Sequence, residues 1–416
     1  MRRHALAASL AVVLATVLWP SLAAAQANTQ TTSSQFGAVR VTTVATGLQN
    51  PWGLAFLPDG NFLVTERPGR LRIVTPQGGV SSPLTGVPSV FAQGQGGLLD
   101  VALDPAFASN RRVYLSFAEP GTNGTAGTAV YRAELNAGST ALVNGSVIFR
   151  VTPKLNTQGH FGSRLAFGPD GFLYVTSGDN QNNATAQRQN QHQGKILRLR
   201  TDGTVPADNP FVGNSAWLPE IWSTGHRSPQ GMAFHPVTGQ LWMNEHGPKG
   251  GDELNRVGRG LNYGWPTITW GIGYDDRPIP EATGTSAAGL EQPEHYWVPS
   301  IGTSGLAFYN HPKSPEWMGS VLVGGLVSRS IHRIRLDANN RVVAQEQLLS
   351  GLNWRIRDVR VGADGNVYAL TDDANGRVLR IEPPTVTPRG KRPVTLPSTT
   401  PSVSDRVPAK RLRDSQ

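Results

Sequence analysis

The sequence predicts an all-β fold, a six-bladed β-propeller of four-stranded antiparallel blades. One pattern occurs six times: a short apolar strand, a turn rich in Pro, Asp and Gly, and a second strand of alternating residues. Because its period is two and its residues are β-branched or aromatic, this pattern indicates a β-hairpin rather than a helix. Repeats of three or four strands are typical of propellers. A two-sheet sandwich and two separate β domains are the competing interpretations.

The hairpins follow one another along the chain, at residues 53–64, 98–117, 164–178, 231–245, 305–325 and 358–372. A further strand follows several of them, at 70–74, 195–199, 331–336 and 378–381. The spacing between copies is irregular, which fits one propeller whose blades are separated by functional insertions. We therefore predict a single propeller domain over residues 36–384.

The N-terminus predicts a secretory signal peptide over residues 1–25. Two arginines precede an apolar run that ends at Pro20, and Ala23 to Ala25 provide a small-residue cleavage site. A membrane anchor is the alternative, but the run is short for a spanning helix and no later stretch is long enough. We expect a periplasmic or secreted protein with no transmembrane segment.

The C-terminus predicts a disordered, Pro-rich basic tail over residues 385–416, because that composition cannot bury a core. Seven basic residues against two acidic ones give the tail a net charge of +5. The two N-terminal arginines add +2, so only +2 of the formal +9 remains for residues 26–384. The high pI, near 10.1, therefore arises from the basic residues of the two termini. No nucleic-acid partner is expected.

The absence of cysteine excludes disulfides, thiolate metal sites and cysteine nucleophiles. The sequence also lacks a GxGxxG motif after a strand, a Walker A loop, a GxSxG elbow and an HExxH motif. The sequence therefore offers no motif in support of a nicotinamide- or nucleotide-dependent enzyme, a serine hydrolase or a zincin. The remaining candidates are polar clusters in the loops between strands.

One such cluster brings together a histidine and an aspartate. His160 precedes the third hairpin and Asp179 follows it, and a hairpin returns its two ends to the same rim. The two residues are therefore expected to meet, as a base oriented by a carboxylate. A structural histidine beside a turn aspartate is an equally good interpretation.

Three other loops carry glycine and polar residues. Gln95 lies within GQGGLL, which taken alone is better explained as a turn. The segments 225–231 and 245–253 flank one hairpin, so both are predicted on one rim. An Arg with a Gln at one end and an acidic Gly/Pro loop at the other suit an anionic ligand held with a hard cation. A solvated turn is the alternative for the acidic pair.

As an ordered set, the motifs resemble the soluble quinoprotein sugar dehydrogenases of the glucose/sorbosone dehydrogenase type. The resemblance covers about residues 47–383. Its carriers are GQGGLL at 94–99, HFGSRLAFGPDG at 160–171, GHRSPQG at 225–231, EHGPKGGDELN at 245–255, LNYGWP at 261–266 and WRIRDV at 354–359. The family is a six-bladed propeller, in agreement with the repeats.

The resemblance implies oxidation of an aldose at C1, with pyrroloquinoline quinone (PQQ) and calcium as cofactors and an external electron acceptor. His160 is implied as the general base, Asp179 as the group that orients it, and Arg227 as the group that stabilises charge on the quinone oxygen. Gln95 is implied in contact with the sugar. The residues implied to hold PQQ are Gln230, His246, Asp252, Ser300, Arg355 and Arg357.

The family pattern further implies that the carbonyls of Gly247 and Pro248 ligate the calcium on PQQ, with a second, structural calcium at Glu253 and the Tyr263 region. The glucose-oxidising members carry a cofactor-binding Lys where this chain has Val327, with Arg329 as a possible substitute. Glucose specificity is therefore not carried over. A calcium-dependent propeller lactonase and a non-catalytic propeller that binds glycans or proteins are the alternative functions.

Overall fold

The computed structural model describes residues 29–385. The predicted signal peptide and nearly all of the predicted tail lie outside these residues. The described chain forms six antiparallel sheets and only short helices. The helices are α1 (Phe107–Asn110) and three 3-10 turns, Thr122–Gly124, Asn183–Gln187 and Pro315–Trp317.

Each of the six sheets is one blade, numbered I to VI in chain order. Blade I contains β3 (Pro51–Phe56), β4 (Phe62–Glu66) and β5 (Arg70–Val74). Blade II contains β6 (Leu98–Leu103), β7 (Arg112–Pro120), β8 (Ala126–Leu135) and β9 (Leu142–Arg150). Blade III contains β10 (Leu165–Phe167), β11 (Leu173–Ser177), β12 (Lys195–Leu199) and β13 (Ile221–Thr224).

The second half of the molecule repeats the plan and completes the ring. Blade IV contains β14 (Pro229–Phe234), β15 (Leu241–Glu245), β16 (Asp252–Val257) and β17 (His295–Trp297). Blade V contains β18 (Thr303–Tyr309), β19 (Ser320–Gly325), β20 (Ser330–Leu336) and β21 (Val342–Leu348). Blade VI contains β22 (Ile356–Val361), β23 (Val367–Thr371) and β24 (Gly376–Glu382), to which β2 (Gly37–Leu48) and β1 (Thr29–Ser34) are added.

The predicted six-bladed propeller is confirmed, and each predicted hairpin forms the first two strands of a blade. The innermost strands β3, β6, β10, β14, β18 and β22 contact one another in that order, and β22 returns to contact β3. Four blades have the predicted four strands. Blade I has three, with residues 80–84 running irregularly beside β5, and blade VI has five.

The ring is closed by pairing the two ends of the domain. β2 pairs antiparallel with β24, from Arg40 opposite Glu382 to Leu48 opposite Gly376. β1 begins ahead of the predicted start at residue 36 and pairs with the outer edge of β2. The core lies between the faces of neighbouring blades, as where Tyr114 and Val130 of blade II pack with Leu165 of blade III.

The inner strands are irregular at the rim where they begin. In five blades the pairing of the first two strands shifts register at the start of the inner strand, as between Pro229 and Gly231. Such bulges bend a strand and redirect its side chains, and they are common beside active sites. In blade III the corresponding segment, residues 160–164, is not strand at all. This rim carries the polar clusters of the sequence.

Candidate active site

His160 and Asp179 meet at the rim of blade III, as the hairpin pattern predicts. His160 Nδ1 lies 2.6 Å from Asp179 Oδ1, and the Asp179 side chain is fully buried whereas that of His160 is 12% exposed. A buried carboxylate beside Nδ1 favours the tautomer with hydrogen on Nδ1. Nε2 is then free to accept a proton.

Both carboxylate oxygens of Asp179 accept hydrogen bonds in addition to the contact with His160. Trp265 Nε1 donates to Oδ2 at 2.8 Å, and the backbone N–H of Gln181 donates to Oδ1 at 2.9 Å. The backbone N–H of Asp179 itself donates to the carbonyl of Arg227. The carboxylate therefore has a fixed orientation, and it fixes the imidazole in turn.

Gln95 contacts the backbone of the histidine segment. The N–H of His160 donates to Gln95 Oε1 at 2.8 Å, and the N–H of Gln95 donates to the carbonyl of Gln158. His160 has a φ of 53°, which is uncommon for a residue other than glycine. The side-chain oxygen of Gln95 thus helps to hold the histidine in a strained conformation.

A cavity of about 450 Å³ adjoins this pair. Gln95 and Phe161 belong to its wall, so it begins one residue from His160. Four basic and two acidic side chains line it: Arg67, Lys249, Arg355, Arg357, Asp252 and Asp372. The predicted residues that line it are Gln95, Gln230, His246, Gly247, Pro248, Asp252, Ser300, Arg355 and Arg357.

Arg355 and Arg357 share one carboxylate in the cavity wall. Both donate to Asp372 Oδ2, each at 3.0 Å from Nη2. Burial would raise the pKa of Asp372, but the charges of Arg357 and Arg355 prevail and lower it to about 2. One acid against two arginines leaves a net positive charge, and the buried Arg357 Nε has no partner among the described residues.

The side chains of three predicted cofactor-binding residues, Asp252, Ser300 and His246, form hydrogen bonds with backbone groups. Asp252 Oδ2 accepts from the N–H groups of Gly302 and Thr303, and Oδ1 accepts from Gly247. Ser300 Oγ donates to the Pro248 carbonyl, and His246 Nε2 donates to the Thr303 carbonyl. Burial lowers the pKa of His246 to about 4, so its imidazole is neutral at pH 7.

Arg227 lies across the loop that follows β15. Its Nη1 donates to the Gly247 carbonyl at 2.7 Å, and its guanidinium stands 5.3 Å from the ring centre of Trp265. Its Nε is buried and has no partner within residues 29–385. The guanidinium therefore retains an unused donor, but Arg227 is not among the residues that line the large cavity.

Glu253 and Tyr263 line a second, much smaller cavity together with Arg227 and Glu245. Burial and the nearby charges of Glu245 and Asp252 raise the pKa of Glu253 to about 8. The hydroxyl of Tyr263 is already used, since it donates to the Arg256 carbonyl. In the described part of the chain, no three His, Asp or Glu side chains cluster as a metal site.

Arg329, the predicted substitute for the family's lysine, is not among the residues that line the large cavity. Its side chain is exposed and donates to the carbonyl and side chain of Asn353, whereas Val327 is the residue that lines the cavity. The positively charged side chains in the cavity wall are instead those of Arg67, Lys249, Arg355 and Arg357.

One wall of the cavity was not predicted from the sequence. Trp52 lies there, and Arg164 stands 4.2 Å above its ring while pairing with Asp100 and Asp358 at 3.0 and 3.1 Å. Arg164 also donates to the carbonyl of Gln230. The signal was available, because Asp100, Arg164 and Asp358 occupy one equivalent position of the repeat, just before the aligned apolar residue. Trp265 and Asp372 were likewise missed.

Comparison with known proteins agrees with the family that the sequence motifs resemble. Residues 48–380 match the family model described as Glucose / Sorbosone dehydrogenase. The chain is 46% identical over 347 residues to aldose sugar dehydrogenase YliI of Escherichia coli (strain K12), covering 83% of this chain and 93% of that protein.

Two solved structures extend this similarity. The soluble aldose sugar dehydrogenase from Escherichia coli, in its apo-form, aligns with a TM-score of 0.81 at 46% identity, over 83% of this chain and 100% of that one. The PQQ-bound aldose sugar dehydrogenase from Streptomyces coelicolor aligns with a TM-score of 0.69 at 31% identity, over 83% and 98% of the two chains.

These similarities place the propeller among the enzymes of the sugar dehydrogenase class. The chain belongs to the glucose/sorbosone dehydrogenase family, since the family model covers most of its length. The family and enzyme class predicted from the motifs are confirmed. Within residues 29–385, no helix is long and apolar enough to cross a membrane.

Proposed function

We propose that the protein oxidises the C1 hydroxyl of an aldose to the lactone, with PQQ and calcium as cofactors. The observation that carries the proposal is the His160–Asp179 pair beside a cavity in which basic side chains outnumber acidic ones. The names of the relatives support it, because one is an aldose sugar dehydrogenase and another was solved with PQQ bound.

The cavity fits a flat anion with several carboxylates. Arg355 and Arg357 have only Asp372 to neutralise them, and Arg357 Nε is an unpaired buried donor within the described chain. Guanidinium groups bind carboxylates with two parallel hydrogen bonds. We assign Gln230, His246, Ser300, Arg355 and Arg357 to the cofactor, and Asp252 to the positioning of the 247 and 302 backbone around it.

Calcium fits the same region through backbone oxygen. The carbonyls of Gly247 and Pro248 accept from Arg227 and Ser300, and each retains a second lone pair for a hard cation. Glu253, which is partly buried near Glu245, suits a second cation, since a divalent ion offsets two neighbouring carboxylates. Tyr263 can serve there only through its backbone, as its hydroxyl is already used.

The chain supplies the proton acceptor for the oxidation. Nε2 of His160 takes the C1 hydroxyl proton, and Asp179 stabilises the imidazolium that results. Bound PQQ would supply the acceptor for the hydride that leaves C1, so that the substrate loses two electrons and two hydrogens in becoming the lactone. Arg227 is assigned to stabilise the negative charge that develops on the acceptor, since its buried Nε–H has no partner among residues 29–385, and Gln95 is assigned to the sugar.

We further propose that the enzyme works in the periplasm or outside the cell and passes its electrons to an external acceptor. The support is the N-terminal signal pattern of residues 1–25. A protease-accessibility assay on spheroplasts, together with a search for the protein in the medium, tests the location. Protection of the protein from added protease in spheroplasts would contradict it.

One experiment separates this function from its alternatives. The purified protein is supplied with PQQ and Ca²⁺, and reduction of an artificial dye is followed with several aldoses. We expect dye reduction that requires both cofactors. Lactone hydrolysis with Ca²⁺ alone would identify a lactonase, and no dye reduction despite bound PQQ would leave a non-catalytic binding propeller. Absence of PQQ binding would contradict the proposed cofactor.

A further inference from the structure

Lys195, the first residue of β12, is a buried lysine that has no counter-ion. Its side chain is fully buried, and its ammonium donates to the carbonyls of Thr185, Ala186 and Gln193 at 3.0, 2.9 and 2.7 Å. No carboxylate among residues 29–385 pairs with it, and burial lowers the pKa of Lys195 to about 7. A buried charge held by carbonyls alone is costly, so its contribution is sought in what it holds in place.

Two of its three acceptors belong to the 3-10 turn Asn183–Gln187. Both have other donors: the Ala186 carbonyl also accepts from the N–H of Gly225, and the Thr185 carbonyl from the N–H of Arg188. The lysine is therefore not needed to satisfy these carbonyls. It instead ties the turn to the start of β12, which lies between β11 and β13 at the rim of blade III.

The turn in its place holds Asp179. Thr185 Oγ1 donates to the Asp179 carbonyl at 3.0 Å, and Gln187 Nε2 donates to the Trp265 carbonyl at 2.7 Å. Trp265 is the residue whose indole binds Asp179 Oδ2. The backbone of Asp179 and the partner of its carboxylate are thus both bound to the turn that the lysine fixes.

We propose that Lys195 is a positioning residue for the base of the sugar oxidation. The ammonium holds the turn, the turn holds Asp179, and Asp179 orients His160 through the 2.6 Å contact between their side chains. The inference rests on the proposed function of His160. A displacement of a reacting group by about 1 Å can slow an enzyme roughly 100-fold, so a residue that acts through three contacts can still control the rate.

The kinetic test removes the ammonium and, separately, the next contact. With enzyme loaded with PQQ and Ca²⁺, Lys195→Met is expected to lower kcat roughly 10- to 100-fold. The KM for the aldose and the affinity for PQQ should stay within about twofold. Thr185→Val removes only the hydroxyl that binds Asp179 and should give the same pattern. Because both residues act through one turn, the double variant should lose less than the product of the two single losses.

A control variant in the same strand separates positioning from a general loss of stability. Leu199 lies at the other end of β12, is fully buried and packs in the core between blades II and III. Leu199→Ala leaves a cavity there and should lower the urea midpoint, with kcat within about twofold of wild-type. A loss of kcat in Leu199→Ala as large as that in Lys195→Met would overturn the proposal.

The second test needs neither cofactor nor sugar. In protein with ¹⁵N-labelled histidine, the Nδ1 proton that His160 shares with Asp179 gives a downfield NMR signal, identified by its absence in His160→Ala. We expect this signal to move upfield or to vanish through exchange with water in Lys195→Met and in Thr185→Val. It should be unchanged in Leu199→Ala.

The outcomes distinguish this proposal from the proposed function. Wild-type kcat and an unchanged His160 signal in Lys195→Met would overturn the positioning role, and so would fully independent losses in the double variant. If the wild-type protein oxidises no aldose but the signal changes as expected, Lys195 still positions the His160–Asp179 pair and the dehydrogenase function fails.

Discussion

His160 is held in a left-handed backbone conformation by contacts on both sides of its peptide. Its N–H donates to Gln95, and its carbonyl accepts from both the backbone and the side chain of Asn180. Such a conformation costs on the order of 1 kcal/mol or more and persists only where the surroundings enforce it. The strain is located at the residue assigned as the base, which fits a preorganised site.

Trp265 acts through Asp179 and is a positioning residue. Trp265→Phe removes the donor to Asp179 Oδ2 and leaves a buried carboxylate oxygen without that bond. We expect kcat to fall roughly tenfold with little change in the affinity for PQQ. Steady-state kinetics and a PQQ titration measure the two effects. Trp217→Phe, whose ring stacks on Phe211, is the control, and equal kcat in both variants would contradict the assignment.

The contribution of Asp372 to the free energy of unfolding depends on pH. Its pKa is lowered to about 2 in the folded state, against about 3.9 for an unperturbed aspartate. A lowered carboxyl pKa stabilises the fold above the unfolded value, and the stabilisation disappears as pH falls through the folded one. Asp372→Asn should therefore lower the free energy of unfolding by about 2 kcal/mol at pH 7 and by about half as much at pH 3. Urea unfolding at the two pH values tests this, and a pH-independent difference would contradict it.

In four of the six blades, an acidic residue lies at or just after the end of the second strand. Glu66 ends β4, Glu245 ends β15, and Asp179 and Asp372 follow β11 and β23. All four are buried or nearly so and bind donors from neighbouring loops. Chain spacing alone predicted the meeting of Asp179 with His160. It could not predict the partner Trp265, which lies 86 residues from Asp179 in the chain. Arg355 and Arg357 precede Asp372 across one hairpin, so the same reasoning applies to their meeting.

Glycine in the rim of blade III is required by both space and backbone. Gly162 has a φ of +65°, and a Cβ there would lie 2.8 Å from the N atom of Gly178. Gly171 has a φ of +78°, but a Cβ there meets nothing within 4 Å. Gly171→Ala should cost about 1 kcal/mol, whereas Gly162→Ala should cost more and also reduce turnover. Urea unfolding and dye reduction compare the two, and equal costs would show that the close approach is not required.

For the whole molecule, the repeats predicted the ring but not its closure. The six hairpins carry a turn signature that is visible in the sequence, whereas β1 and β2 belong to no repeat. Their pairing with β24 depends on contacts between residues more than 300 positions apart. The three-stranded blade I was also not foreseen, because residues 80–84 run beside β5 without forming a regular strand.

Ring closure predicts that one buried position in β2 stabilises the entire propeller. Val41 is 1% exposed and pairs with Ile381, whereas Val143 in β9 is 41% exposed. Val41→Asp places an unpaired charge in the core and should cost about 3–5 kcal/mol, whereas Val143→Asp should cost little. Calorimetry should show one lowered transition for Val41→Asp. A separate early transition that leaves the rest of the fold intact would contradict cooperative closure.

The central claim is that His160 is the base of a PQQ-dependent sugar oxidation. Wild-type and His160→Ala proteins are loaded with PQQ and Ca²⁺ to equal occupancy and mixed with an aldose in a stopped-flow spectrometer without dye. We predict that the wild-type reduces its cofactor in a single turnover, and that His160→Ala binds PQQ equally well but reduces it roughly 100- to 10,000-fold more slowly. Equal rates of reduction in the two proteins would contradict the account.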